Sequence, residues 1–95
     1  MELKDTIETM QSADYKERFK AEYYQLKIRY EKLKAFNNKI EAAQRSQCDP
    51  FQPPAKRLEE PKHDCPADML KQQQHLMGEY LHILEVRAVI EGIEL

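Results

Sequence analysis

The stretch "FKAEYYQLKIRYEKLKAFNNKI", residues 19–40, places apolar side chains at Phe19, Tyr23, Leu26, Tyr30 and Leu33, and the same four-three spacing runs on through Asn37 to Ile40. This is a heptad seam, the pattern of a helix that packs one stripe along another helix. Asn37 is a polar residue in that seam. Such a residue fixes register or oligomer state at some cost in stability, unless the helix bends and leaves it in solvent. Upstream, Asp14 suits an N-cap and Glu17 follows three residues later, as a capping box requires, so the first long helix is expected over about 15–45. Residues 1–13 read as a short helical lead or a loose tail.

From Ser46 to Pro66 the chain reads "SQCDPFQPPAKRLEEPKHDCP" and holds all five prolines of the protein. Proline removes a helical N–H and clashes with the preceding turn, so helix cannot run through this stretch. The expectation is a connector over 46–65, pinned to the helices by Phe51 or Leu58. Helix resumes at about 66–91: Pro66 suits the first helical position, Cys65 or Asp64 the cap, and Asp68 the positive end of the helix dipole. Its apolar stripe is Leu70, Met77, Leu81, Leu84 and Ala88, with Gln74 in the gap. Gln73, Tyr80 and Arg87 recur every seven residues beside it, at the border of the packing face. Gly78 in mid-helix costs up to about 1 kcal/mol relative to alanine, which points to a close helix crossing or to backbone approach by a ligand. Gly92 ends the helix.

The fold expected is therefore all-α, a single domain over 1–95 built as a long helical hairpin. Two helices enclose little interior, so association with further copies is the expected source of burial and the protein is read as a homo-oligomer. No apolar run reaches the roughly 20 residues that span a bilayer, and "MELKDTIETM" lacks the layout of a signal peptide, so no membrane partner and a cytoplasmic location are expected. Cys48 and Cys65 read as free thiols, and with His63 and His75 they match no zinc spacing, so neither metal nor cofactor is expected. Ser12, Ser46 and Cys65 lack a base and an orienting group, and no glycine-rich phosphate loop is present, which disfavours an enzyme. His75 and His82, with Glu79 between them, read as exposed polar residues or a weak site.

Charge is unevenly distributed. Residues 15–45 carry nine Lys or Arg against four Glu, while the whole chain has a formal charge of −2. A single-sign concentration on one helix is either a solvated face or the footing of an anionic ligand. On the first helix Tyr23 and Tyr24 stand among Lys27 and Arg29, rings that can stack on a base beside cations that can hold phosphate. The tyrosines also fit a core role with hydroxyls reaching the helix edge. The acidic remainder disfavours polymeric nucleic acid. A small nucleotide-derived anion between protomers fits the pattern better, with Tyr23, Tyr24, Lys27, Arg29, Gln73, Gln74, Met77, Tyr80 and Arg87 as candidate contacts. Arg29 and Arg87 suit bidentate phosphate contacts, and Gln74 a base or ribose edge. On this reading the border residues of the second helix are partly unsatisfied within one protomer; otherwise Arg87 pairs with an acid such as Glu91.

The pattern "CPADMLKQQQHLMGEYLHILEVRAVIEGIEL" after "ERFKAEYYQLKIRYEKLKAF" resembles small phage and prophage helical proteins related to a crAss-like phage protein. The matching positions are Cys65, Pro66, Met69, Leu70, Gln74, Met77, Tyr80, Leu81, Leu84, Glu85 and Arg87, and the similarity covers roughly 15–40 and 65–95. In size, composition and expected assembly the chain also resembles phage sponges that sequester nucleotide second messengers of bacterial defence, such as those of CBASS and Thoeris. Arg87-Ala88-Val89 is a partial echo of one sponge signature, without its proline. The resemblance implies an anti-defence protein that holds a nucleotide-derived immune signal without turnover. The alternative is a helical adaptor that grips a host or phage protein through the same face.

Overall fold

The computed structural model describes residues 1–51, 53 and 57–95, and among them every regular element is helical. A 3-10 turn at Leu3–Thr6 runs into α1 (Ile7–Met10); α2 spans Tyr15–Cys48 and α3 spans Ala67–Glu91. Gln52 and residues 54–56 of the expected connector lie outside the described residues.

Helix α2 starts where extended Asp14 accepts the Lys16 N–H at 3.0 Å. Neither bond of the expected capping box forms, because this cap bond goes to the second helical residue and not to Glu17, the third. Glu17 turns instead to Lys20, 3.4 Å away, and Ser12 Oγ accepts the Asp14 N–H at 3.1 Å. At its other end α2 runs to Cys48, three residues past the expected boundary, and stops where Asp49 turns extended (φ −80°, ψ 112°). The residue before a proline is driven to such angles, and Pro50 follows. The α3 boundary is offset by one residue: Pro66, not Cys65 or Asp64, is the N-cap, and its carbonyl accepts from Met69 and Leu70 at 3.1 and 3.2 Å. At the far end Gly92 adopts the left-handed conformation (φ 70°, ψ 36°), and Ile93 donates back to the Ala88 carbonyl at 2.8 Å. Glycine meets that geometry without Cβ strain, and the buried Ile93 side chain joins the same core cluster as Ala88.

The antiparallel α2–α3 seam is the core. Phe19 and Tyr23 pack with Leu81, Leu84, Ala88 and Ile93, while Ile40 and Ala43 are buried toward the other end. Between these groups Asn37 is buried, so it does not face solvent. Its Nδ2 donates to the Leu70 carbonyl at 3.1 Å and to Gln74 Oε1 at 2.9 Å, while its Oδ1 is buried without a partner. These bonds form only when Leu70 and Gln74 lie opposite Asn37, so this residue fixes the helix register within the chain.

The N-terminal turn and α1 fold back on α2, held by Gln25 Nε2 donating to Thr6 Oγ1 at 2.9 Å and toward Met10 Sδ at 3.3 Å. Neither Phe51 nor Leu58 pins the connector: both are exposed, Phe51 at 92%. Polar ties replace them, with Gln47 donating to the Leu58 carbonyl at 3.0 Å, Leu58 N–H to Ser46 Oγ at 3.0 Å, and Gln44 to Glu60 at 2.9 Å. The radius of gyration is 17.9 Å and the extents are 56 × 25 × 21 Å. A compact chain of this length would have a radius near 12 Å, so the molecule is a rod with a thin interior. Among the described residues no helix is long and apolar enough to cross a membrane.

Candidate functional site

The register set by Asn37 brings Tyr30 of α2 level with Gly78 of α3. A Cβ built on Gly78 would stand 3.5–3.8 Å from the Tyr30 ring and hydroxyl. Those are ordinary van der Waals distances, so a methyl group fits and the crossing, though close, does not demand glycine. Above this floor lies an open groove of about 700 Å³, lined by Tyr30, Lys71, Gln74, His75, Gly78, Glu79, His82 and Ile83. It continues along the same flank past Tyr23, Lys27, Glu31, Leu81 and Glu85.

The rim carries both signs of charge. Lys71 reaches Glu41 at 3.8 Å and His75 reaches Glu79 at 3.2 Å. Lys27 Nζ lies 5.9 Å from the Tyr23 ring centre, and the Tyr23 hydroxyl donates to Glu85 at 3.0 Å. Burial, and then the Glu85 carboxylate that accepts its proton, push the Tyr23 phenol up to about 12. Lys71 thus stands beside a carboxylate that an incoming anion would have to displace or bridge.

Within the single chain the nine residues expected to contact a ligand do not converge. Tyr23, Lys27 and Gln74 border the α2–α3 groove. The Tyr23 ring itself belongs to the core and meets Tyr24 edge-on at 5.2 Å. Tyr24 and Lys27 also border a hollow of about 400 Å³ with Met1, Ile28, Glu31 and Lys32, under the N-terminal segment. Gln73, Met77 and Tyr80 line a shallow hollow of about 310 Å³ on the opposite flank of α3, with Met69, Gln72 and Leu76. Arg29 is exposed on α2, and Arg87 lies near the C-terminal end of α3. Arg87 Nε is 2.8 Å from Glu91 Oε2, its guanidinium carbon is 4.9 Å from the Phe19 ring centre, and the Glu91 hydrogen bond raises its pKa.

Of the border groups of α3 expected to be partly unsatisfied within one chain, three find one partner each. Gln74 accepts from Asn37, the Tyr80 hydroxyl donates to Glu22, and Arg87 pairs with Glu91. The facing helix and the next helical turn supply these partners.

Two features went unread in the sequence. The first is the groove itself: the hairpin register sets Tyr30, a seam residue, against Gly78, and so joins it with Lys71 and with His75 and His82, which the sequence offered as exposed polar residues or a weak site. The second is a further seam on α3: Met69, Gln73, Leu76, Tyr80, Ile83, Arg87 and Ile90 alternate by four and three residues, offset by one from the core stripe. Its apolar members are exposed, Leu76 at 55%, Ile83 at 57% and Ile90 at 77%. The core stripe from Leu70 to Ala88 accounts for the helix by itself, which hid the second pattern, although its spacing is plain once sought.

Comparison with known proteins returns one family. The family model described as Sequestin matches residues 13–52 and 54–90, which takes in α2, all of α3 but its last residue, and most of the connector. No curated protein and no solved structure matches the chain.

Proposed function

The chain belongs to the Sequestin family, whose name denotes sequestration, a binding role rather than catalysis, and on that premise we propose that it captures a small nucleotide-derived anion and holds it unchanged. In this reading the protein is of phage origin, acts in the cytoplasm of the infected host, and withdraws a nucleotide immune signal from the defence system that reads it. Assembly into a homo-oligomer places binding residues at protomer interfaces.

One observation carries the proposal. Gly78 imposes a helix cost that the packing does not require, and it sits on the floor of an open groove beside the Tyr30 ring. Without a side chain there, a flat ligand can reach the ring and the α3 backbone together. Base–aromatic stacking contributes about 1–3 kcal/mol per base and is tolerant of base identity. Lys27 and Lys71 on the rim supply charge-assisted bonds to phosphate, and Gln74 offers an amide to a base or ribose edge. The mixed rim suits a small anion with few charges better than a polyanion, which the neighbouring Glu31, Glu79 and Glu85 would repel. Tyr23, Tyr24 and Arg29 on α2, and Gln73, Met77, Tyr80 and Arg87 on α3, are the remaining proposed contacts; those beyond the groove reach a ligand through assembly.

The test is to incubate the purified protein with a panel of cyclic and linear nucleotides, remove free ligand, denature by heat, and identify what is released. Recovery of an intact nucleotide in stoichiometric amount supports sequestration. Release of a hydrolysed product, or of nothing from any nucleotide tested, overturns it.

A further inference from the structure

The second seam of α3 leaves a row of large apolar side chains in solvent on a rod that already lacks interior. Met69, Leu76, Ile83 and Ile90 stand seven residues apart, and Gln73, Tyr80 and Arg87 fill the alternate seam positions. The row is about 32 Å long at 1.5 Å per residue. We propose that this seam pairs with the same seam of a second copy, antiparallel, and that each Arg87 thereby closes over the Gln73–Met77–Tyr80 hollow of the other chain. This inference rests on the homo-oligomeric reading above and names its interface.

Three observations select a second copy and this direction. The spacing is a complete heptad seam, a surface that fits another helix of the same period. Its apolar positions, Met69, Leu76, Ile83 and Ile90, are evenly spaced and so symmetric about their midpoint between Glu79 and Tyr80, while Gln73, Tyr80 and Arg87 reflect onto Val86, Glu79 and Gln72. An interface with a two-fold axis requires such self-complementarity. The charges then decide direction: parallel pairing sets Arg87 against Arg87, whereas antiparallel pairing sets it beside Gln72 of the second copy, between its own Glu91 and the Asp68 that the alignment places opposite Glu91. The same alignment lays Ile83, Val86 and Ile90 of one chain over the shallow hollow of the other, which in a single protomer is open. A pocket that no single protomer closes thus gains walls from both, with an amide, a thioether and a phenol from one chain and a guanidinium from the other. These groups suit a compact anion with a flat or apolar part.

Mixed cross-linking tests the geometry. In a C48S/C65S background, single variants Met69→Cys and Ile90→Cys are prepared separately; both sites are exposed, and circular dichroism verifies that each variant is folded. They are mixed in equal amounts under mild oxidation, and the dimers are weighed by mass spectrometry. Antiparallel pairing predicts that the mixed 69–90 dimer exceeds either like-with-like dimer by about tenfold or more. A statistical mixture, or an excess of 69–69 and 90–90 bridges, overturns the proposal. So does a Leu76→Glu, Ile83→Glu double variant that scatters light as the same oligomer as the parent; the expected mass is that of one chain, 11.3 kDa. Nucleotide release by the parent protein is read separately. Retained ligand with statistical cross-linking would remove only the interface, and strong 69–90 cross-linking with no ligand would remove only the sequestration reading.

Discussion

Gly78→Ala should stabilise the protein while weakening the nucleotide binding proposed for it. The three atoms nearest the added methyl all belong to the Tyr30 side chain, at 3.5, 3.6 and 3.8 Å, so no neighbour must move. The steric term is then close to zero. The backbone term favours alanine, by about 0.8–1.0 kcal/mol for a helix interior, because glycine surrenders more freedom on folding. Partial burial of the methyl against the ring adds a few tenths of the roughly 0.8 kcal/mol of a fully buried methylene. The net gain is about 1 kcal/mol. In a domain of this size that raises Tm by about 4–8 °C, readable by circular dichroism at fixed protein concentration and checked by urea titration. The same methyl stands where a ligand would reach Tyr30, so calorimetric titration with whichever nucleotide the protein retains should show affinity lower by about tenfold. A fall in Tm would mean that the helices approach more closely than the structure has them, and the argument from a dispensable glycine would be lost. Unchanged affinity in a stabilised variant would remove the groove floor from the binding site.

Tyr23 makes stability sensitive to alkali. Its phenol is raised from 10.0 to about 12, so the folded state holds the proton more tightly than the unfolded chain does. This contribution is fully present below about pH 10 and is lost as pH rises toward 12; a Tyr23→Phe variant should lose less stability across that window in urea melts. Leu84→Ala removes a side chain that is 1% exposed at the centre of the seam and should cost about 2–5 kcal/mol, measured by the urea midpoint; a cost below 1 kcal/mol would mean that the core is not where the structure puts it. Asp14→Ala removes the side chain that caps α2 and should cost about 0.5–2 kcal/mol, while Asp14→Asn should cost much less. Equal losses from the two substitutions would argue that the charge matters and the cap bond does not.

The two long helices were legible because each element announces itself locally. The four-three spacing from Phe19 to Ile40 forces one buried stripe, Asp14 offers its carboxylate to the first free N–H groups, and Gly92 accepts a left-handed turn that few other residues tolerate. The boundary of α2 was read short because nothing between Arg45 and Cys48 opposes helix; only the proline at 50 does, and it acts through Asp49. The capping box failed at Glu17 since Lys20, one turn away, competes for the same carboxylate. Site residues were harder to place because their partners lie on the other helix. Whether Gln74 meets Asn37, or Tyr80 meets Glu22, depends on the register between two helices, which no local pattern states. The tyrosines illustrate the same limit: Tyr23 and Tyr30 share one seam at heptad spacing, yet Tyr23 packs inside and Tyr30 opens onto a groove, because α3 presents Leu81 and Leu84 near the first and Gly78 at the second.

The rod shape has a practical consequence for anyone weighing this protein. A body 56 Å long and little more than 20 Å across meets more friction than a sphere of equal mass, and so leaves a sizing column early. Judged against globular standards, one chain would elute at an apparent mass well above its own and be taken for a dimer. Two chains laid antiparallel along α3 would add width and little length, so their shape would be closer to that of the standards. The dimer would then elute later than its mass relative to the free chain implies, and the two species would be poorly separated. Column position therefore discriminates weakly between them, and a method in which shape drops out, such as sedimentation equilibrium or multi-angle scattering, is the one that counts copies.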